Sequence, residues 1–266
     1  MAKKVELFYD TYKNYAEDLY QEIRKETYGE DIGQTSWLTA DEYRNIFSLL
    51  NLSPNHNVLE VASGSGGPAV FMVKETGCNL TGIDINENGV ANAQKLAAEN
   101  RLSAKMKFSV ADASSKLPFA DETFDAIVSI DSINHLKKRN KVLQEFNRVL
   151  KKGGRLLFTD AVVITGILTN EEIAIRSSLG FFLFVPKGEN ERLLKEAGFY
   201  DIISKDVTDN IIATSQKWHD AREKRKSGLL KFEGEEKFNG IQSFLQTTHI
   251  VSADRRLSRF MYHCVK

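Results

Sequence analysis

From Val58 to Pro68 the chain reads Val-Leu-Glu-Val-Ala-Ser-Gly-Ser-Gly-Gly-Pro, an apolar run that stops at three glycines and a proline. A buried parallel strand reads this way where it delivers the backbone into a tight loop and then a helix. Glycine permits positive φ there and lets a ligand approach the backbone without meeting a Cβ. This corner therefore predicts the floor of a nucleotide-type site.

The pattern around it is strand, loop, helix, repeated. Strands are predicted at Asn57–Val61, Asn79–Asp84, Met106–Val110, Phe124–Ile130, Arg155–Ala161, Tyr200–Val207 and Arg259–Val265. Helices are predicted at Pro68–Glu75, from Asn86 to Asn100, along the stripe Val142, Phe146, Val149 and Leu150, at Glu189–Ala197, and at Asn210–Lys226. Such alternation implies an α/β fold with a mostly parallel, seven-stranded, Rossmann-like sheet covered by helices on both faces. Ligands in that architecture sit beyond the carboxyl ends of the strands. Ser63, Asp84, Asp112, Asp131 and Asp160 are all expected there.

Ahead of this core, residues 1–50 read as a helical leader. Val5, Phe8, Tyr12, Tyr15, Leu19 and Ile23 stripe one helix, Gly29 to Trp37 is a loop, and Thr39-x-x-Glu42 is a capping-box signature opening a second helix. Residues 51–266 then form the main domain, interrupted at about 162–187 by an insertion holding Thr169-x-x-Glu172 and the apolar run Phe181–Val185.

With 36 basic and 36 acidic residues, the net charge is zero, which argues against a nucleic-acid partner and for a small one. Cys78 and Cys264 have no metal-ligand or disulfide pattern, and no metal site is expected. Neither a signal peptide nor a membrane-spanning stretch is legible, so a cytoplasmic protein is expected, of unknown oligomeric state.

Gly64-Ser65-Gly66-Gly67-Pro68-Ala69 can be laid on the dinucleotide fingerprint, with Asp84 following at the expected distance. Glu60, inside the strand, is out of place beside a pyrophosphate but tolerable beside a cationic ligand. Asp112 adds a further carboxylate to the same rim.

These residues resemble the S-adenosylmethionine-dependent methyltransferases of Rossmann-like fold. Glu-x-Ala-x-Gly-x-Gly at 60–66 is similar to the family's first motif and Gly82-Ile83-Asp84-Ile85 to its second. Ala111-Asp112-Ala113 with Leu117-Pro118-Phe119 resembles the third, and Arg148 to Gly154 the segment before the fifth strand. The resemblance implies S-adenosylmethionine as methyl donor, leaving S-adenosylhomocysteine as product. It implies that Asp84 takes the ribose hydroxyls, Asp112 and the Ala113 N–H the adenine, and backbone groups of Ala62 and Gly64 the methionine part. Glu60, Ser65, Gly66, Ile85, Ala111 and Ile130 are expected among the remaining cofactor contacts.

The leader and the fourth-strand segment Ser129–His135 resemble more narrowly the small-molecule branch, which includes sarcosine/dimethylglycine, phosphoethanolamine and tocopherol methyltransferases. By that resemblance the leader folds over the cofactor, Gln34 and Ser36 meet its methionine end, and Tyr15, Asp131 and His135 surround the acceptor. His135 would remove the acceptor's proton, with Asp131 binding an amine or orienting the ring. That branch's phosphate clamp is replaced here by the apolar Leu179–Phe184. An amine or a partly apolar metabolite is therefore expected as acceptor. Two other classes stay open: a nicotinamide-dependent oxidoreductase, and a catalytically silent cofactor-binding protein.

Overall fold

A computed structural model describes Tyr12 and residues 17–266. Eight strands form one sheet among these residues, in the order β3-β2-β1-β4-β5-β8-β7, with β6 pairing β5 off this path. They are β1 (Asn57–Val61), β2 (Asn79–Asp84), β3 (Met106–Val110), β4 (Phe124–Ser129), β5 (Leu150–Ile164), β6 (Val185–Pro186), β7 (Tyr200–Asp206) and β8 (Leu257–Val265). β1 to β5 run parallel, and β8 lies antiparallel between β5 and β7. The strand beyond the expected seven is the two-residue β6, too short to leave a period in the sequence.

Helices α1 (Asp18–Tyr28) and α2 (Ala40–Leu50) belong to the leader. The sheet is flanked by α3 (Gly67–Thr76), α4 (Glu87–Glu99), α5 (Arg139–Val149) and α7 (Glu189–Glu196), while α6 (Asn170–Arg176), α8 (Thr208–Lys224) and α9 (Lys226–Ala253) lie in the later chain. Successive strand residues divide between two cores, as the period of two demands. Val58, Leu80, Ala126 and Leu157 join Tyr43 and Ile46 of α2 with Met72 of α3. Their neighbours Leu59, Ile83, Ile127 and Phe158 join Val142 and Phe146 of α5 with Leu194 of α7. Each fully buried aliphatic or aromatic side chain stabilises the fold by about 1.5–3 kcal/mol.

Both capping signatures mark true helix starts, with one difference. At α6 the Thr169 hydroxyl accepts from the Glu172 N–H while Glu172 reaches back to the Thr169 N–H, completing the box. At α2 Thr39 accepts from the Glu42 N–H, but the Glu42 carboxylate turns instead to Arg259 and Asn210.

Two boundaries differ from expectation. β5 starts at Leu150 and continues to Ile164, so Asp160 lies inside the strand rather than at its end. There it is fully buried and bonded to Arg139 and Asn190, away from the cavity. The stretch after Lys226, to which no element was assigned, is α9, a long helix interrupted at Gly234, where φ is 75°. Among the described residues no helix is long and apolar enough to cross a membrane.

Candidate active site

One cavity of about 460 Å³ opens where the parallel strands end. Its floor is the corner after β1. Gly64 and Gly66 take positive φ (52° and 77°), and Ala62 does too (φ 62°). Asp84, at the end of β2, braces the corner: its Oδ2 accepts from the Gly64 N–H and its Oδ1 from the Asn86 N–H, each at 2.8 Å. It is only 6% exposed, and burial raises its carboxyl pKa against these backbone bonds.

Glu60 is 5% exposed on β1. Its Oε1 accepts from the Tyr43 hydroxyl at 3.0 Å, and its Oε2 is buried without a hydrogen-bond partner among the described residues. Burial lifts the Glu60 carboxyl to about 8; the Tyr43 bond opposes this and the Asp84 charge assists it. Facing no cation, Glu60 therefore holds its proton at neutral pH.

Ala62, Ser65, Ile85, Ala111, Asp112, Ala113 and Ile130 line the same cavity, as does Ser36 from the leader. Asp112 is tied locally, accepting from the Ser114 N–H and the Ser115 hydroxyl. Ile85, 70% exposed, stands at the rim.

Two expected contacts lie elsewhere. The buried Gln34 side chain stitches its own loop, accepting from the Ile32 N–H and donating to the Glu30 carbonyl, and is not part of the cavity wall. Gly66 faces α4 rather than the cavity, where a Cβ would come within 2.7 Å of the Ala93 Cβ. Its smallness seats the loop instead. Tyr15 lies outside the described residues; the tyrosine placed against Gly64 is Tyr12, which also lines the cavity.

The far half of the cavity holds His135, on a turn after β4. Its Nδ1 lies 2.7 Å from the Phe181 carbonyl, which can only accept, so Nδ1 carries the hydrogen. In the neutral ring Nε2 is then an acceptor, and the Asn134 amide nitrogen lies 3.2 Å from it. Burial lowers the imidazole's pKa, which keeps the ring neutral at physiological pH.

Asp131 does not orient this ring. Its Oδ1 accepts from Arg259 Nε at 2.7 Å and the Thr159 hydroxyl at 2.8 Å, and its Oδ2 from the Trp37 N–H at 3.0 Å. With three hydrogen bonds accepted, Asp131 ties β4, β5, β8 and the leader together and keeps one Oδ2 lone pair at the cavity wall.

Sequence reasoning missed the other walls. Trp218 comes from α8, and Ile241, Phe244 and Leu245 from α9. Arg176, at the end of α6, and Leu179 to Phe182 complete this half. The spacing of Phe238, Ile241, Leu245 and Thr248, all buried, was the available signal for α9.

A nucleotide-sized floor at the strand ends, ringed by Glu60, Asp84 and Asp112, is the arrangement of the Rossmann-like methyltransferases. Residues 59–158 match the family model of a methyltransferase domain. Phosphoethanolamine N-methyltransferase 1 of Zea mays is 30% identical over 211 residues, covering 79% of this chain and 41% of the relative. The chain thus spans about two fifths of that relative's length. O-methyltransferase resE of Aspergillus sclerotiorum is 28% identical over 214 residues, covering 79% of this chain and 81% of the relative. Among solved structures, Haemonchus contortus phosphoethanolamine N-methyltransferase 2, in complex with phosphomonomethylethanolamine and S-adenosylhomocysteine, superposes with a TM-score of 0.81. It is 22% identical, and the match covers 97% of this chain and 60% of that one.

Proposed function

We propose that the protein is an S-adenosylmethionine-dependent methyltransferase acting on a small-molecule acceptor. The observation that carries this reading is the buried, unpartnered Glu60 Oε2 behind the glycine corner. A buried carboxyl oxygen is costly to leave unmatched, and the ammonium of an amino-acid moiety would match it. A pyrophosphate, as in a nicotinamide cofactor, would be repelled by Glu60 once ionised.

Each Asp84 oxygen accepts one backbone N–H and keeps a second lone pair, so the pair would hold the ribose hydroxyls as a fork. Asp112 and the Ala113 N–H would take the adenine edge, with Ile85, Ala111 and Ile130 against its faces. Backbone groups of Ala62, Gly64 and Ser65, with Ser36 from the leader, would hold the methionine end. The leader would act as the lid over this half of the cavity.

When bound, the cofactor supplies an electrophilic methyl group on a sulfonium. The protein's part is to align the acceptor with that methyl, exclude water and accept a proton. His135 Nε2, its tautomer set by the Phe181 carbonyl, would accept that proton in exchange for its hydrogen bond from the Asn134 amide. The aromatic far wall excludes water. Balanced charge supports a small acceptor rather than nucleic acid, and two buried free cysteines support a cytoplasmic setting.

Isothermal titration with S-adenosylhomocysteine tests the reading. The parent should bind and Asp84→Ala should lose ~10²-fold or more in affinity, as expected when hydrogen bonds to a charged group are removed. Absence of binding by the parent would sink it.

A further inference from the structure

The acceptor half of the cavity contains a cation without a hydrogen-bonded counter-ion. Arg176 closes α6 and lines the cavity at 2% exposure. Its Nε and Nη1 are buried and have no hydrogen-bond partner among the described residues. Three rings surround the guanidinium carbon: Phe244 at 4.6 Å, Phe182 at 5.1 Å and Trp37 at 5.8 Å from their centroids.

Asp131 and Asp160 are the carboxylates whose fields favour its charge. Both are committed elsewhere, Asp131 to Arg259 and Asp160 to Arg139. Burial brings the guanidinium down to about 9, so the charge persists at neutral pH. Ring faces attract a cation, but they leave its N–H groups without acceptors. Arginine offers a planar fork of donors that matches a carboxylate in two-point contact.

The surrounding wall fixes the rest of the ligand's character. Trp37, Phe182, Trp218 and Phe244 are aromatic, and Leu179, Ile241 and Leu245 are aliphatic. Trp37 stacks near Phe244 and meets Trp218 edge to face. A second cation, Lys137, lies at the rim over the Phe181 ring. Among the described residues the one carboxylate in this half is Asp131, which already serves Arg259, Thr159 and Trp37, so an amine acceptor would meet two cations and one shared anion. The apolar Leu179–Phe184 run supplied no donor in the sequence, whereas Arg176, three residues before it, brings one into the same cavity.

We propose that the methyl acceptor is a flat, mostly apolar molecule bearing an acidic oxygen group, and that Arg176 is the residue that recognises that group. This rests on the methyltransferase reading and narrows its acceptor from amine or apolar metabolite to an organic acid. Arg176 is a specificity residue here, anchoring the substrate while His135 handles its proton.

The test compares ligands that differ only in charge. Cinnamate, 2-naphthoate and indole-3-acetate are titrated against their primary amides into the protein saturated with S-adenosylhomocysteine, with phosphoethanolamine as a polar anion. At least one carboxylate should bind tenfold or more tighter than its amide, and phosphoethanolamine should bind more weakly than that carboxylate. Arg176→Met should erase the preference and Arg176→Lys should keep part of it, both with S-adenosylhomocysteine affinity within about twofold of the parent.

Equal binding of acid and amide by the parent overturns the proposal without any variant having to fold. Binding of no carboxylate, or preferential binding of phosphoethanolamine, overturns it as well. Failure of S-adenosylhomocysteine to bind the parent instead strikes the methyltransferase reading. The acid and amide pairs are then titrated into the free protein, where the same preference is required.

Discussion

Arg259 Nε donates to Asp131 Oδ1 at 2.7 Å, joining the middle of β8 to the turn after β4. The same guanidinium donates from Nη1 to Glu42 Oε1 at 2.6 Å in α2. One buried cation thus fixes the acceptor wall and the leader to a single strand, and its two carboxylates hold its pKa above the ordinary arginine value against the opposing effect of burial.

Removing Asp131 leaves Glu42 as the counter-ion of Arg259 but strips Arg259 Nε, the Thr159 hydroxyl and the Trp37 N–H of their acceptor. Asp131→Ala should cost about 1.5–3 kcal/mol, the usual loss when a hydrogen bond to a charged group is removed. Urea unfolding measures it. A midpoint within error of the parent would mean that solvent reaches Arg259 and that the group is not structural.

Glu60 gives the free protein a distinctive proton linkage. Its folded-state pKa of about 8 lies above the ordinary carboxylate value of 4.5, so the folded form holds a proton that the unfolded form releases between those values. Stability therefore falls as pH rises through that window. Glu60→Gln should melt above the parent at pH 9, the gap narrowing toward pH 5. Binding a cationic ligand at pH 7 should expel close to one proton from the parent. Titration of S-adenosylhomocysteine in buffers of different ionisation enthalpy reads the proton directly, and an equal count in Glu60→Gln would refute the assignment.

His135 should titrate below 6.5, the direction in which burial moves it. Long-range nitrogen-15 NMR should find Nδ1 protonated and Nε2 bare at pH 7. If His135 is the base, turnover falls only on the acid side of neutrality, and His135→Ala loses that limb along with most activity while keeping cofactor affinity. A ring protonated at Nε2 would remove it from this role.

Gly67 offers a steric test of the leader. A Cβ there would meet the Ile32 carbonyl oxygen at 2.4 Å and the Gly33 Cα at 2.7 Å, backbone atoms that cannot swing aside. Gly67→Ala should displace the loop around Gly33 and cost ~1–3 kcal/mol, as overpacking does. Limited proteolysis should cut the leader earlier than in the parent, and unchanged cleavage would show that the loop yields at no cost.

The sequence made the cofactor half legible because that half is built locally. Gly64, Asp84 and Asp112 each follow an apolar run and Glu60 sits inside one, so strand order alone gathers them. The acceptor half depends on tertiary placement. Trp37, Arg176, Trp218 and Phe244 come from four separate segments, and nothing in their local patterns announces a shared wall. The ties of Asp131 escape the local pattern for the same reason: its partners Arg259 and Trp37 are 128 and 94 positions away. Asp160 was misplaced because β5 runs beyond the last residue that its local pattern suggested.

The division of the cavity also has a consequence for redesign. Its cofactor floor comes from Glu60 to Ile130, while the wall around Arg176 is drawn from α6, the turn after it, α8 and α9. Exchanging those later segments for ones of different lining would retarget the enzyme while its donor seat stayed intact. Arg259 marks the limit of such grafts: any replacement must still leave room for the ion group that anchors Asp131.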